Sequence, residues 1–249
     1  MPVKGELRVG TSGWNYGDWK GIFYPDSMKS AEYLSFYAQH FDTTEINYSF
    51  YHLPRPSTYE KWAAQTPEKF LFAVKASRVI THVKRLADVG EEWRKFLESA
   101  RVLGSKLGPV LLQFPPSLKA DRERLAAFLG EARAAKGARG LRLAFEFRHA
   151  TWFDPDICEL LRKHKAALVV AQSERYPQAP MTPTAPFVYL RFHGPGALFA
   201  SKYSEKELEE WAERIRKWRA AGLAVFAYFN NDFHGYAIEN ARRLRELAG

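Results

Sequence analysis

The stretch LRLAFEFRH, residues 141–149, carries two patterns at once. Phe145 and Phe147 fall on one side of an extended chain, and Glu146 and Arg148 fall on the other. Successive side chains of a strand point to opposite faces. If the phenylalanines pack under helices, the glutamate and arginine must enter the interior of a curved sheet. Seven further runs share this apolar character and are bounded by turn chemistry. They are LRVGTSG (7–13), TTEINYSFY (43–51), FLFAVKAS (70–77), GPVLLQFPP (108–116), AALVVAQS (166–173), FVYLRFHG (187–194) and LAVFAYFNN (223–231).

Amphipathic helical periods separate most of these runs. Tyr33, Leu34, Tyr37 and Phe41 share a face over 30–41, and Trp93, Phe96, Leu97 and Leu103 over 91–103. Residues 121–135 place Leu125, Phe128 and Leu129 together, and 204–219 open with a Ser204-to-Glu207 capping box. A last helix is expected over 236–248. SERYPQAPMTPTAP (173–186) has four prolines and no helical period, so a loop replaces the sixth helix. Eight strands alternating with helices predict an α/β fold, a single-domain TIM (β/α)8 barrel over 1–249. A doubly wound open sheet competes, but the first strand leads into TSGWNYG rather than a glycine fingerprint.

Strand alternation then selects the inward-facing polar residues. They are Glu45, Asn47, Lys75, Gln113, Glu146, Arg148, Arg191 and His193, with Tyr228 and Asn230 fitting the same face. All lie toward the C-terminal ends of their strands, the face at which barrel active sites are built. Lys75, Arg148 and Arg191 outnumber Glu45 and Glu146 by one positive charge. A complete structural ion-pair network is one outcome. An anionic ligand, bearing phosphate or carboxylate, is the favoured one, because an unpaired buried cation is costly. Arg148 and Arg191 offer planar forks for such a group, and FHGPGA (192–197) offers glycine amides.

His193 is the leading general acid or base, and Glu146 the second. Lys75 is either a nucleophile with lowered pKa or an ion-paired, ligand-binding lysine. No cofactor is predicted. A divalent metal is the competing idea, with Glu45, Glu146, His193, Asp232 and His234 as suitable donor types but no tight spacing. His52, His82 and His149 also follow strand ends, where each can equally cap a helix.

The chain of 249 residues has a net charge of +9, with the charges scattered along it. Nucleic acid is therefore a weaker expectation as partner, through a metal-dependent endonuclease-like barrel with aromatic stacking. A non-catalytic ligand-binding barrel is the remaining alternative. One cysteine, Cys158, excludes an internal disulfide framework. Without an apolar leader or spanning stretch, a cytoplasmic protein with no membrane partner is expected. Oligomeric state is not legible.

The first loop, TSGWNYGDWKGIFYP (11–25), interleaves three glycines with five aromatics. Leaving the first strand at the functional rim, it should fold over the pocket. Trp14 and Tyr16 are expected to wall it, while Trp19, Phe23 and Tyr24 anchor the loop. Gly13 should permit a tight exit from the strand, with Gly17 and Gly21 serving further turns.

GTSGWNYGDWKGIFYP, TTEINYSFYHLP, FAVKASRVITH, LLQFPPSL, FEFRHATWF, YLRFHG and YFNNDFHGYAIENA, in that order, resemble the domain-of-unknown-function 72 (YecE-like) family. The resemblance runs from Val9 to Leu244. It implies a TIM barrel and supplies no reaction. Its motif positions fall here on Gly13, Trp14, Glu45, Asn47, Lys75, Gln113, Glu146, Arg148, Arg191, His193, Asn230 and Asn231. Asn231 joins the candidate ligand-binding set on that ground. The expected activity is that of an enzyme, a hydrolase or lyase acting on an anionic substrate.

Overall fold

A computed structural model describes residues 4–196 and 199–249. Nine strands run β1 (Leu7–Thr11), β2 (Thr43–Ile46), β3 (Leu71–Lys75), β4 (Leu107–Gln113), β5 (Leu143–Glu146), β6 (Ala167–Leu168), β7 (Val170–Gln172), β8 (Phe187–Phe192) and β9 (Ala224–Phe229). Eight α-helices are α1 (Tyr33–His40), α2 (Tyr48–Tyr51), α3 (Pro56–Ala64), α4 (Gly90–Ala100), α5 (Arg122–Ala134), α6 (Pro155–Lys163), α7 (Glu205–Ala220) and α8 (Tyr236–Ala248). The strands form two parallel sheets, ordered β1-β9-β8-β7 and β2-β3-β4-β5-β6.

Two places join the sheets. The run 166–173, expected as one strand, divides at Val169: β6 pairs with β5, and β7 pairs with β8. Val169 itself donates its N–H to Phe145 O at 2.9 Å, so the chain changes sheets within a single extended passage. The other join lies between β1 and β2. There the Tyr37 hydroxyl accepts from Thr11 N at 2.9 Å and donates to Thr43 O at 3.1 Å. Thr44 Oγ1 adds a 3.0 Å bond to Thr11 O. Gly10 lets the strands approach, since a Cβ there would lie 2.2 Å from Thr43 O. Side-chain hydroxyls thus meet backbone groups that a longer ladder would have paired.

The alternation in FEFRH is present as expected. Phe145 and Phe147 pack outward with Phe114 and Trp152, the Phe147 and Trp152 rings stacked at 4.1 Å. Burial of each large ring contributes about 1.5–3 kcal/mol. A separate inner layer holds Ala73, Leu111, Ala144, Val169, Phe187, Tyr189, Phe226 and Tyr228. Above it, at the C-terminal strand ends, sit the polar residues.

Helix boundaries follow the sequence signals. Ser204 and Glu207 form the capping box of α7, and no helix intervenes between Gln172 and Phe187. The helix expected over 91–103 ends at Ala100 and continues as 3₁₀ turns over Arg101–Lys106. The strand expected over 43–51 stops at Ile46 and turns into the single helical turn of α2. There Ser49 Oγ donates to Lys75 O at 2.6 Å, a tertiary bond that outweighs the strand preference of the aromatics around it. Among the described residues no helix is long and apolar enough to cross a membrane.

Candidate functional site

Arg191, inward-facing near the C-terminal end of β8, is 1% exposed and organises the charged layer. Its Nε and Nη2 grip both carboxylate oxygens of Glu45, at 3.0 and 2.7 Å, while Nη1 reaches Glu146 Oε2 at 2.6 Å. Ser12 and Tyr189 also donate to Glu45, the latter at 2.6 Å. Arg148 Nε holds the other Glu146 oxygen at 2.8 Å. Burial alone would raise both carboxyls; the arginines outweigh it, so Glu45 lies below its usual range and Glu146 well below. Both carboxylates are therefore fixed in the charged form.

With Arg191 committed to both glutamates and Arg148 to one, Lys75 is left over. Its Nζ lies 4.1 Å from the Phe50 ring centroid, and among the described residues no carboxylate comes within ion-pair distance. Burial first, then repulsion from Arg191, lowers its pKa from 10.5 to about 7. The surplus positive charge counted in the sequence thus has a location.

Lys75 faces a cavity of about 580 Å³ with Arg78, His82, Arg148, Arg191, Gln113, Asn47, Asn230, Tyr16, Phe50, Tyr51 and Phe199 on its walls. Burial and the positive charge of Lys75 hold His82 at about 4, so it is neutral there. Asp232 lies by Tyr16 and is raised to about 7, chiefly by burial.

The remaining candidates divide by position. Glu45, Glu146 and His193 lie beneath the cavity rather than on its wall. His193 Nδ1 meets Asn230 Nδ2 at 3.1 Å, and Nε2 faces Glu146 Oε1 at 3.8 Å without another partner. Burial keeps this imidazole below its ordinary pKa. Tyr228 is in the inner layer, bonded to Thr43 Oγ1 at 2.8 Å. Asn231 ties the Ser201 carbonyl to Asn240 Oδ1, away from the cavity. Trp14 walls a neighbouring groove rather than the charged cavity, while Tyr16 belongs to both.

Trp19, Phe23 and Tyr24 are buried and anchor the first loop; Trp19 Nε1 bonds Asp232 O at 2.9 Å, and Tyr24 stacks on Tyr33 at 3.9 Å. Gly13 has φ +99°, and a Cβ there would stand 2.8 Å from the Tyr16 hydroxyl. Gly17 does not use the left-handed region. In FHGPGA, Gly194 N and Gly196 N donate to Tyr203 and Ser201 oxygens, and Ala197 lies outside the described residues. His149 caps a 3₁₀ turn through Thr151 N. Phe50, Arg78 and Phe199 escaped the alternation argument because they lie past the strand ends, Phe50 and Arg78 on short helical turns and Phe199 on a turn.

The candidate metal donors do not fit a divalent ion. The Arg191 guanidinium occupies the space between Glu45 and Glu146, and it uses the oxygens an ion would need. Among the described residues no three His, Cys, Asp or Glu side chains are grouped for a metal.

Fold and site together define a parallel α/β protein with a cationic cavity at the C-terminal strand ends. Residues 8–249 match the family described as "Protein of unknown function DUF72", and the chain belongs to that family. It is 29% identical over 272 residues to the UPF0759 protein YunF of Bacillus subtilis, covering 97% of this chain and 94% of that one. The crystal structure of a DUF72 family protein from Thermotoga maritima superposes with a TM-score of 0.85 at 30% identity, covering 97% of this chain and 98% of that one. The fold alone is shared with SacUVDE, at a TM-score of 0.59 and 7% identity over 98% of each chain.

Proposed function

We propose that this chain is an enzyme acting on a small molecule that bears a phosphate or carboxylate group. In this reading the two sheets close as a (β/α)8 barrel, with β6 and β7 together forming the sixth strand. Arg78 and Arg148 hold the anionic group, and Lys75 moves a proton at the bound substrate. Glu146 and His193, just beneath, set the charge and position of Arg148 and Asn230 rather than touching the ligand.

One observation carries the reading: after Arg191 has satisfied both glutamates, Lys75 remains in the cavity with no carboxylate partner among the described residues. A cation so placed is stabilised by an incoming anion. With its pKa near 7, it is also able to take and return a proton near neutrality.

The test is anion-dependent stabilisation at constant ionic strength, comparing phosphate, sulfate and acetate with chloride. The wild-type protein should melt higher with one of the first three, and Arg148→Met combined with Arg78→Met should abolish the increment. An increment that survives both substitutions places the anion elsewhere.

A second reading, in which the rim takes a nucleic-acid strand, draws on the surface around the cavity. Each large apolar side chain exposed among the described residues, including Tyr48, Tyr51, Val83, Phe199 and Phe233, lies in a segment between a strand's C-terminal end and the next long helix. Aromatic side chains beside cations suit bases and phosphates. Salt-dependent binding of single-stranded DNA, weakened by Tyr51→Ser, would support it; no binding at low salt would dismiss it.

A further inference from the structure

Beside the charged cavity runs a groove of about 760 Å³ between the first loop and α3. Trp14, Tyr48 and Trp62 form its aromatic walls, and Leu34 and Ile46 lie below. Trp62 meets Trp14 edge-to-face at 5.3 Å and Tyr48 at 6.2 Å. Tyr48 leaves 51% of its surface in water although it sits among apolar rings. Tyr16 and Asn47 line both spaces, so groove and cavity adjoin. Asn47 Nδ2 donates to Ser12 Oγ at 2.9 Å, and Ser12 in turn donates to Glu45. That fixes the amide orientation, with Asn47 Oδ1 buried and without a donor among the described residues.

We infer that the ligand is an aryl-bearing anion whose planar ring lies between Trp14, Tyr48 and Trp62 while its charged group occupies the neighbouring cavity. This rests on the anion reading of that cavity. Each space far exceeds an inorganic ion, and each alone falls within the size range of small-molecule sites. Perpendicular rings offer one face and one edge to a guest, the arrangement a further planar ring completes.

The experiment measures dissociation constants of the full chain for inorganic phosphate, butyl phosphate and 1-naphthyl phosphate by calorimetry. Naphthyl phosphate should bind about tenfold or more tightly than phosphate, with butyl phosphate in between. Ala31→Trp, at an exposed position on the groove wall, should erase that advantage while leaving the phosphate constant unchanged. Ser57→Trp, exposed on the α3 side, repeats the block from the opposite wall.

Equal affinity for butyl and naphthyl phosphate overturns the planar ring. An advantage that persists in both blocked variants overturns the groove. Failure of all three probes overturns the anion reading beneath it. Naphthyl binding that is blocked by Ala31→Trp but indifferent to Arg148→Met keeps the groove and discards the anion.

Discussion

Replacing Lys75 by methionine should make the protein more stable and less able to bind. The drop from 10.5 to about 7 means the folded protein disfavours the charged lysine. At 1.36 kcal/mol per pH unit, that difference corresponds to about 5 kcal/mol below pH 7. Part of it is recovered in the native state: the contact with Phe50 contributes about 1 kcal/mol. Side-chain relaxation and water in the open cavity reduce the remainder, so we expect a gain of about 2–3 kcal/mol at pH 6. For a chain of this size the melting temperature should rise by about 5–10 °C.

The pH dependence separates this cause from better packing. A lysine whose folded pKa is depressed costs its full amount below pH 7. The cost shrinks as pH rises from about 7 toward 10.5 and then vanishes. Urea denaturation of both proteins between pH 5 and 10 should therefore show a gap that is constant to about pH 7 and closes above it. A variant no more stable than wild type at pH 6, or a gap independent of pH, would refute the reasoning.

Four further outcomes are expected. Anion affinity, read by calorimetry, should fall as pH rises through about 7, because Lys75 loses its proton while Asp232 gains charge in the same window; Asp232→Asn isolates the lysine's share, and Lys75→Met should remove it. Arg191→Met strands the buried Glu45, leaves Glu146 to Arg148 alone, and should cost about 3–5 kcal/mol at pH 7 in denaturant titrations. With Arg191 gone Glu45 favours protonation, so this variant should regain stability toward pH 5, whereas wild type, with both carboxyls held below their usual range, should lose that contribution only as pH falls below 4.5. Tyr37→Phe orphans Thr11 N and Thr43 O and should cost about 2–4 kcal/mol, measured the same way. Gly13→Ala forces a left-handed backbone and a clash with Tyr16; it should cost about 1–3 kcal/mol and weaken anion binding together.

The charged layer was legible because it obeys a local rule. Period-2 alternation in FEFRH and FVYLRFHG decides which side chains face inward, and counting their charges leaves one cation over. Which cation that is depended on reach: Arg191 spans from β8 to β2 and β5, a geometry only the assembled sheets provide. The walls contributed by Phe50, Arg78 and Phe199 were hidden for another reason. Residues past the strand ends no longer follow the strand period, and their direction is set by contacts such as Ser49 to Lys75 that join distant segments. The same contact disguised the end of β2, since Tyr48, Phe50 and Tyr51 have strand-like chemistry but occupy a helical turn. Burial depth was equally opaque: alternation places Glu146 and His193 inward, yet it cannot say they lie under the ligand space rather than beside it.

The meeting of β1 and β2 through Tyr37 and Thr44 has an evolutionary side. Elsewhere in the wall the bonds between strands belong to the main chain, which no point mutation can delete except by introducing proline. At this join a lone Ser12–Glu45 bridge is supplemented by side-chain hydroxyls, so much of the cohesion resides in residue identity. A single codon change can weaken or reset it while every ladder in either sheet stays intact. The β1–β2 boundary is therefore a place beneath the cavity where side-chain identity sets how firmly the two sheets hold together.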